Sequence, residues 1–319
     1  MPTIVAFLDV LGFSNYTEQD LAGAQLLLRH QEFILRQKLE DGQLYPAAGY
    51  PDPDLARMAE AHLVDSFSHF LPFSDSIFIV SEDPDKFARQ LSHFLIECLN
   101  LVGHVYDDAD DPGRPEAVTI TELPSGEQHV ERWYPPIWRG GLGTGALATF
   151  RVTGIDSGAT VPIPNLAGAA VVKAVRAEKA AKCRGPRLLC EKDLIETFGP
   201  DIRPYFRCVT DSISELLWPA FQFEQGNNPR VDMLQFHELW NPVVGLWKSK
   251  RGQPAFEHYD EFLKLLVRSF LCWADLERLG TDARRQVRDH IRTNIADQLS
   301  ACESLAWWRL QREQFHDPN

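Results

Sequence analysis

The sequence predicts an α/β region followed by a helical region. The run from Ile4 to Leu11 is apolar and rich in β-branched residues, which is typical of a buried strand. Between residues 21 and 39, leucine and alanine recur at three-, four- and seven-residue steps, as on one face of an amphipathic helix. After about residue 199, long helical patterns dominate, over 259–279 and 281–308. We therefore expect two regions, residues 1–198 and 199–319.

Other elements of the first region follow in chain order. Residues 42–54 are rich in proline and glycine, which predicts a loop, and residues 58–63 indicate a weaker passage from helix to strand. Two short apolar strands, Phe67–Leu71 and Ile77–Val80, predict a hairpin with Asp75 near its tip. The remaining predicted elements are a helix over 87–102, a surface hairpin over 118–133, a glycine-rich strand over 137–150, a helix over 167–182 and a strand over 188–190.

The composition restricts the class of partner. The chain has 319 residues, of which 44% are hydrophobic and 24% charged, as in globular proteins. Its formal net charge of −13 repels polyanions, so we expect neither nucleic acid polymers nor an anionic membrane as partners. A small phosphorylated substrate stays compatible with this charge, because a bound divalent cation reverses the local sign.

The cysteines and the N-terminal residues bear on the cellular compartment. The six cysteines form no CxxC pair, so the sequence supports neither a zinc ribbon nor a disulfide scaffold. We expect reduced, mostly buried thiols. The first residues lack the basic segment of a signal peptide, and no apolar run approaches the ~20 residues of a spanning helix. These features predict a soluble, cytoplasmic protein.

Two aspartates are the first candidates for chemistry. Asp9 lies near the end of the apolar first strand, where a carboxylate is costly to bury unless it is paired or binds a metal. Asp75 lies near the tip of the predicted hairpin, and the two converge if the hairpin pairs beside the first strand. Two carboxylates and a backbone carbonyl suit Mg²⁺ or Mn²⁺. The alternatives are a strand-end aspartate that caps the next helix and a solvated turn aspartate.

A glycine-rich segment after Arg139 is the next candidate. The spacing of Gly141, Gly143 and Gly145 resembles a dinucleotide-binding loop, which is the basis for an alternative interpretation as a Rossmann oxidoreductase. Such a loop must open a helix, yet residues 150–153 predict another strand. A glycine-rich strand in which Arg139 offers a bidentate fork to phosphate fits better.

Taken together, these segments resemble the class III nucleotide cyclase catalytic domain. The family's Asp-x-x-Gly-Phe, hairpin Asp and Arg-x-Gly-x-x-x-Gly correspond in order to Asp9–Phe13, Asp75 and Arg139–Gly145. The resemblance implies a ferredoxin-like α+β fold, a split βαβ sheet with helices on one face. It also implies two Mn²⁺ or Mg²⁺ ions held by both aspartates and the Val10 carbonyl, with Arg139 on the triphosphate.

The segment after the first strand is a further candidate for nucleotide binding. Gly12 permits a tight turn, and the backbone N–H groups of Phe13 and Ser14 can face an anion as the next helix begins. Base recognition is assigned to Tyr50, for stacking, and to Asn165, whose amide both donates and accepts hydrogen bonds. An ordinary loop tyrosine is the alternative for Tyr50.

Residues 165–178 align with a further motif of the same family. Its Gly, Val, Arg and Glu are present as Gly168, Val171, Arg176 and Glu178. Other positions depart from it. Asn165 replaces the adenine-selecting Asp, Leu71 the selecting Lys, and Val172 the transition-state Asn. The departures put adenylate cyclase activity in doubt and favour a smaller base.

The combination is similar to the Pycsar pyrimidine cyclases of bacterial antiphage defence. The shared segments are residues 7–14, 73–76, 139–141 and 168–179. The resemblance implies conversion of UTP, favoured over CTP, to a 3′,5′-cyclic nucleotide that activates a separate effector. It further implies a head-to-tail homodimer, in which Arg176 of one subunit stabilises developing charge in the other subunit's site; an exposed helix arginine is the alternative. The rival function is a catalytically inactive, cyclase-like regulatory module that binds a nucleotide.

Overall fold

The computed structural model describes residues 3–44, 46–103, 117–122, 126, 128–133, 136–180, 184–225, 229–249 and 256–276. Their strands are β1 (Ile4–Val10), β2 (His69–Phe73), β3 (Ser76–Ser81), β4 (Ala117–Glu122), β5 (Gln128–Trp133), β6 (Trp138–Thr144), β7 (Leu147–Asp156), β8 (Ala159–Gly168), β9 (Leu188–Glu191), β10 (Phe206–Cys208) and β11 (Ile213–Leu216). Their α-helices are α1 (Phe13–Gln19), α2 (Leu21–Leu44), α3 (Pro53–Ala61), α4 (Pro84–Gly103), α5 (Ala169–Ala180), α6 (Pro229–Ser249) and α7 (Phe256–Leu276).

A seven-stranded mixed sheet organises these elements. Its spatial order is β10-β11-β9-β6-β1-β3-β2, so the first strand lies inside the sheet. Strand β1 pairs antiparallel with β3 on one side and β6 on the other, and β6 pairs parallel with β9. The predicted α/β class is therefore confirmed at the level of a mixed sheet with helices.

Helices lie on both faces of this sheet. Alternate residues of β1 point to opposite faces: Ile4, Ala6 and Leu8 belong to the large core that also contains α4. Val5, on the other face, packs with Ala170 and Ala174 of α5. The expectation of helices on one face only was wrong, because the small side chains of α5 form a second apolar surface that the sheet buries.

Two glycines of β6 set the distance between α5 and the sheet. A Cβ added at Gly141 would lie 2.1 Å from the Ala174 carbonyl oxygen and 2.6 Å from the Glu178 nitrogen. A Cβ at Gly143 would lie 2.3 Å from the Ala170 carbonyl oxygen. The glycine-rich pattern thus serves close backbone approach of a helix to a strand.

Several predicted boundaries were wrong. The loop expected over 42–54 contains the end of α2, a 3₁₀ turn (Ala47–Gly49) and the start of α3. Residues 58–61 complete α3, and no strand follows at 62–63. The single strand expected over 137–150 is two, β6 and β7. The predicted 118–133 hairpin is confirmed as the pair β4–β5.

Strands β7 and β8 form a two-stranded arm apart from the main sheet. Its ten register pairs run from Leu147↔Gly168 to Asp156↔Ala159, and most of its residues are exposed. Ser157 and Gly158 both have positive φ, as in the type I′ turn that suits a two-residue hairpin loop. The strand predicted over 150–153 is confirmed as part of β7, which begins at Leu147. Because a strand and not a helix follows Gly145, the dinucleotide-loop alternative is wrong.

The region after residue 198 contributes to the same sheet and core. Strands β10 and β11 extend the sheet beyond β9, so this region is not purely helical. Where they are described, the tryptophans of this region are buried: Trp218, Trp240, Trp247 and Trp273. The helix predicted over 281–308 and the end of that over 259–279 lie outside the described residues. Among the helices described, none combines the length and apolarity needed to cross a bilayer.

The cysteines agree with the expectation of free thiols where the structure describes them. Cys98 and Cys190 are buried, Cys272 is partly buried and Cys208 is exposed. Burial raises the pKa of the Cys190 thiol to about 12, so this group stays protonated and unreactive at neutral pH. Cys183 and Cys302 lie outside the described residues.

Candidate functional site

The pairing of β1 with β3 brings the two predicted aspartates together. Asp9 is in register with Ser76, the residue after Asp75, and the Val10 N–H donates to the Asp75 carbonyl oxygen at 3.0 Å. The two-residue turn that carries Asp75 contains Ser74 at φ 58°, a left-handed conformation that turns the chain tightly. The predicted convergence of both carboxylates on neighbouring strands therefore has the required backbone geometry.

Asp9 is held by one neighbour on each adjacent strand. Ser76 Oγ of β3 donates to Oδ1 at 3.1 Å, and Arg139 Nη2 of β6 donates to Oδ2 at 3.1 Å. Burial raises the pKa of the Asp9 carboxyl; the Arg139 charge opposes this, and the nearby Asp75 charge adds to it. Because the Asp9 and Asp75 carboxylates repel each other in a partly buried place, a cation bound between them would be stabilising.

Arg139 also contacts an acidic residue of α5, Glu178. Its Nε lies 2.6 Å from Glu178 Oε1, and the Glu178 side chain is only 7% exposed. Glu178 was aligned with the glutamate of the motif over residues 165–178, and no role was predicted for it. The signal was available in the helix pattern, because Glu178 shares the buried face of Ala170, Ala174 and Ala177. An acidic side chain on a buried alanine face requires a charged partner.

The oxygen atoms at Asp9 and Asp75 fit a hard divalent cation. Both carboxylates offer oxygen ligands, and Val10, which adjoins Asp9, supplies a backbone carbonyl near the end of β1. Within the described ranges, no cluster of three or more His, Cys, Asp or Glu side chains could hold a metal. A cation here would thus complete its shell with backbone oxygen, water and substrate phosphate, as Mg²⁺ does in nucleotide enzymes.

The segment after β1 lies beside this pair. Gly12 has φ 80°, a left-handed value that favours glycine, and it precedes the short helix α1. Its neighbour Leu11 donates to the Ile137 carbonyl oxygen just before β6. Phe13 is partly buried against the core and Ser14 is exposed. The predicted tight turn at Gly12 is confirmed, and its role in nucleotide binding stays a prediction.

Three further predicted residues lie on elements other than those that carry Asp9 and Arg139. Tyr50 follows the 3₁₀ turn and is exposed. Asn165 lies on the arm opposite Phe150, and its side-chain Oδ1 accepts the Leu166 N–H at 2.8 Å. Arg176 is exposed on α5 and lies about 200° around the helix from Glu178. Among the described residues, none of these three side chains makes a hydrogen bond or ion pair with Asp9.

Arg176 borders an open groove on the outer side of α5. The groove is lined by Val171, Val172, Val175, Arg176 and Lys179. Val172, at the position of the family's asparagine, is 48% exposed. An apolar groove with basic side chains at its edge thus faces outward beside the arm.

Helix α7 approaches the site from the C-terminal region. His258 Nδ1 accepts the Gly185 N–H at 3.1 Å, and the Arg187 carbonyl accepts the N–H of Gly140, the residue after Arg139. Burial lowers the pKa of His258, and the charges of Arg139 and Arg184 lower it further. His258 gave no sequence signal, because nothing in the local pattern connects residue 258 with residue 139.

Comparison with known proteins adds no assignment. No family model matches this sequence, and a search of curated proteins finds no match. The topology of the sheet and the contacts around Asp9 are therefore the observations that bear on function.

Proposed function

We propose that this protein is a metal-dependent pyrimidine nucleotide cyclase that converts UTP, or CTP, to the 3′,5′-cyclic nucleotide and pyrophosphate. The observation that carries the proposal is the pairing of β1 with β3, which holds Asp9 next to the β2–β3 turn that carries Asp75, with Arg139 on β6, the other neighbour of β1. The product would be a second messenger in bacterial antiphage defence, acting on a separate effector.

The chain topology supports the cyclase-like fold. The order β1-helix-β2-β3-helix-β6 along the chain, with β6-β1-β3-β2 in space, is that of a ferredoxin-like split βαβ sheet. The proposed catalytic domain covers residues 1–198, and 199–319 form its C-terminal extension. In this arrangement the end of β1, the start of β6 and the β2–β3 turn lie side by side at one end of the strands. Asp9, Arg139 and Asp75 lie there.

The proposed chemistry is an in-line attack of the ribose 3′ oxygen on the α-phosphorus. A bond forms between these two atoms, the bond from the α-phosphorus to the bridging oxygen of pyrophosphate breaks, and the 3′ proton leaves to solvent. Two Mn²⁺ or Mg²⁺ ions, held by Asp9, Asp75 and the Val10 carbonyl, would supply a lower 3′-hydroxyl pKa and charge neutralisation. Arg139 would bind the β- and γ-phosphates.

A homodimer would complete the site. Arg176 is exposed and lies on the opposite side of α5 from Glu178, a position that suits action on the site of another chain. The apolar groove beside it and the exposed arm offer the surface for a second copy. We propose a head-to-tail dimer with two equivalent sites, in which Tyr50 and Asn165 contact the base and Gly12, Phe13 and Ser14 the nucleotide.

Incubation of the purified protein with Mn²⁺ and each of the four NTPs tests the function. We expect one cyclic pyrimidine product, detected by mass spectrometry, and no product from Asp75→Ala. The Asp75 backbone, which binds Val10, is retained in this variant, so the fold should survive. Asp211→Ala, at an exposed aspartate just before β11, is the matched control and should keep full activity. Equal turnover by Asp75→Ala and wild type would exclude the proposed metal site.

The inactive regulatory module is the second candidate function. The exposed Val172 favours it, since a hydrocarbon at that position cannot donate a hydrogen bond to a transition state. This alternative requires a folded protein that binds an NTP by calorimetry and releases neither pyrophosphate nor a cyclic product. Asp9 and Asp75, whose neighbouring negative charges suit a divalent cation, favour the enzyme.

A further inference from the structure

We propose that Glu178 is a positioning residue that draws Arg139 away from Asp9 and so opens the carboxylate to a divalent cation. The inference rests on the proposed cyclase function and concerns how its metal site is prepared. The contacts that carry it are those of one guanidinium shared between two carboxylates, one at the candidate metal site and one on α5.

The two contacts use different atoms of Arg139. Nη2 lies 3.1 Å from Asp9 Oδ2, whereas Nε lies 2.6 Å from Glu178 Oε1. Asp9 is 24% exposed and Glu178 is 7% exposed. The shorter contact is thus the more deeply buried one, where water screens charge least. The Coulombic attraction of Arg139 to Glu178 is therefore the less screened of the two.

The contact with Asp9 places a cation where a metal ion would bind. A guanidinium on Oδ2 and a divalent ion on the same carboxylate repel each other, so Arg139 must withdraw for the metal to bind. Glu178 lets it withdraw without being left as an unpaired, partly buried charge. Arg139 then stays beside the site, with its outer N–H groups available to phosphate.

The backbone holds Glu178 in place for this role. Its amide nitrogen would lie 2.6 Å from a Cβ on Gly141, so α5 contacts β6 directly at this residue. The carboxylate therefore extends from a fixed point of α5, and Arg139, with the longer side chain, is the partner that moves. Withdrawal of Arg139 from Asp9 then needs side-chain rotation only.

The test is Mn²⁺ binding without nucleotide, followed by electron paramagnetic resonance of the free ion. Glu178→Gln keeps the shape but removes the charge, so the Glu178 carboxylate no longer competes with Asp9 for Arg139. We expect Mn²⁺ affinity to fall about tenfold, as is typical of coupled sites. Asp193→Asn is the matched control: Asp193 pairs with Lys173 of α5 at 2.6 Å, and its loss should leave Mn²⁺ affinity unchanged.

A second pair of variants separates positioning from structural support. In an Arg139→Gln background the guanidinium no longer competes for Asp9, so adding Glu178→Gln should change Mn²⁺ affinity no further. Arg139→Gln alone should bind Mn²⁺ more tightly than wild type, a result that does not require Glu178→Gln to fold. Unchanged or weaker binding by Arg139→Gln overturns the proposal.

The outcomes also distinguish this proposal from the proposed function. A wild-type protein that cyclises an NTP, together with a Glu178→Gln variant of equal Mn²⁺ affinity and thermal midpoint, overturns the role of Glu178 alone. A folded wild-type protein that neither binds Mn²⁺ nor forms product overturns both.

Discussion

Asp9 shows how far a single residue can be interpreted from its neighbours in the chain. Its place near the end of an apolar strand predicted a charge that needs a partner, and the structure supplies Ser76, Arg139 and the nearby Asp75. Glu178 and His258 were not predicted as site residues, because their contacts with Arg139 and Gly185 are made across the fold. A local pattern records the burial of a side chain but not the identity of its partner.

Gly141 provides a test at the same scale. In Gly141→Ala, the added methyl would lie within 2.1 Å of the Ala174 carbonyl oxygen, so α5 must move outward. We expect the free energy of unfolding to fall by about 1–3 kcal/mol, as for overpacked cores. Urea denaturation followed by circular dichroism measures this change.

The control for this substitution is Gly49→Ala. A Cβ at Gly49 meets no atom within 4 Å, and its backbone has no positive φ, so stability should change little. Equal urea midpoints for Gly141→Ala and wild type would show that α5 is not held against β6 as described.

The arm of β7 and β8 is largely exposed to solvent and lies apart from the main sheet. Two-stranded sheets are marginally stable alone in water, and this one exposes the apolar side chains of Phe150, Val152, Ile155 and Ile163. Its strand character was predicted over 150–153, but its length was not. The pairing of all ten positions requires both strands and the Ser157-Gly158 turn together.

A charged substitution on the arm tests the proposed dimer. Ile155 is 80% exposed, and Ile155→Asp places a charge where a second copy would bury an apolar side chain. We expect the wild type to be a dimer and this variant to be largely monomeric in size-exclusion chromatography with light scattering. Leu44→Asp, at an exposed apolar residue of α2, should stay dimeric. A monomeric wild type would contradict the shared-site arrangement.

At the scale of the whole molecule, buried histidines link stability to pH. Burial lowers the pKa of His30 to about 4, and burial, with the charges of His62 and Lys38, lowers that of His93 well below its usual value. In the unfolded chain both titrate near 6.5. Below that pH the unfolded state binds more protons than the folded state, so the free energy of unfolding falls as pH falls.

The expected loss is about 1 kcal/mol for His30 between pH 6.5 and pH 5.5, and His93 adds a loss of the same sign. Urea denaturation at pH 7.5 and pH 5.5 measures it, and His30→Gln should reduce the difference between the two. A free energy of unfolding that is the same at both pH values would show that these imidazoles titrate normally in the folded protein.

The amino-acid sequence by itself determined most of the elements: apolar periodicity specified β1, α2, α4 and the β2–β3 hairpin. It also placed Asp9 near the end of β1 and Asp75 in the hairpin turn. Periodicity acts over a few residues, so it carries no information on which helix covers which face. Only the tertiary structure decided that α5 packs on β6, that β10 and β11 join the sheet, and that Glu178 binds Arg139. The physical reason is that packing and ion pairing depend on distance in space, and these partners are 39 residues apart (139 to 178) in the chain.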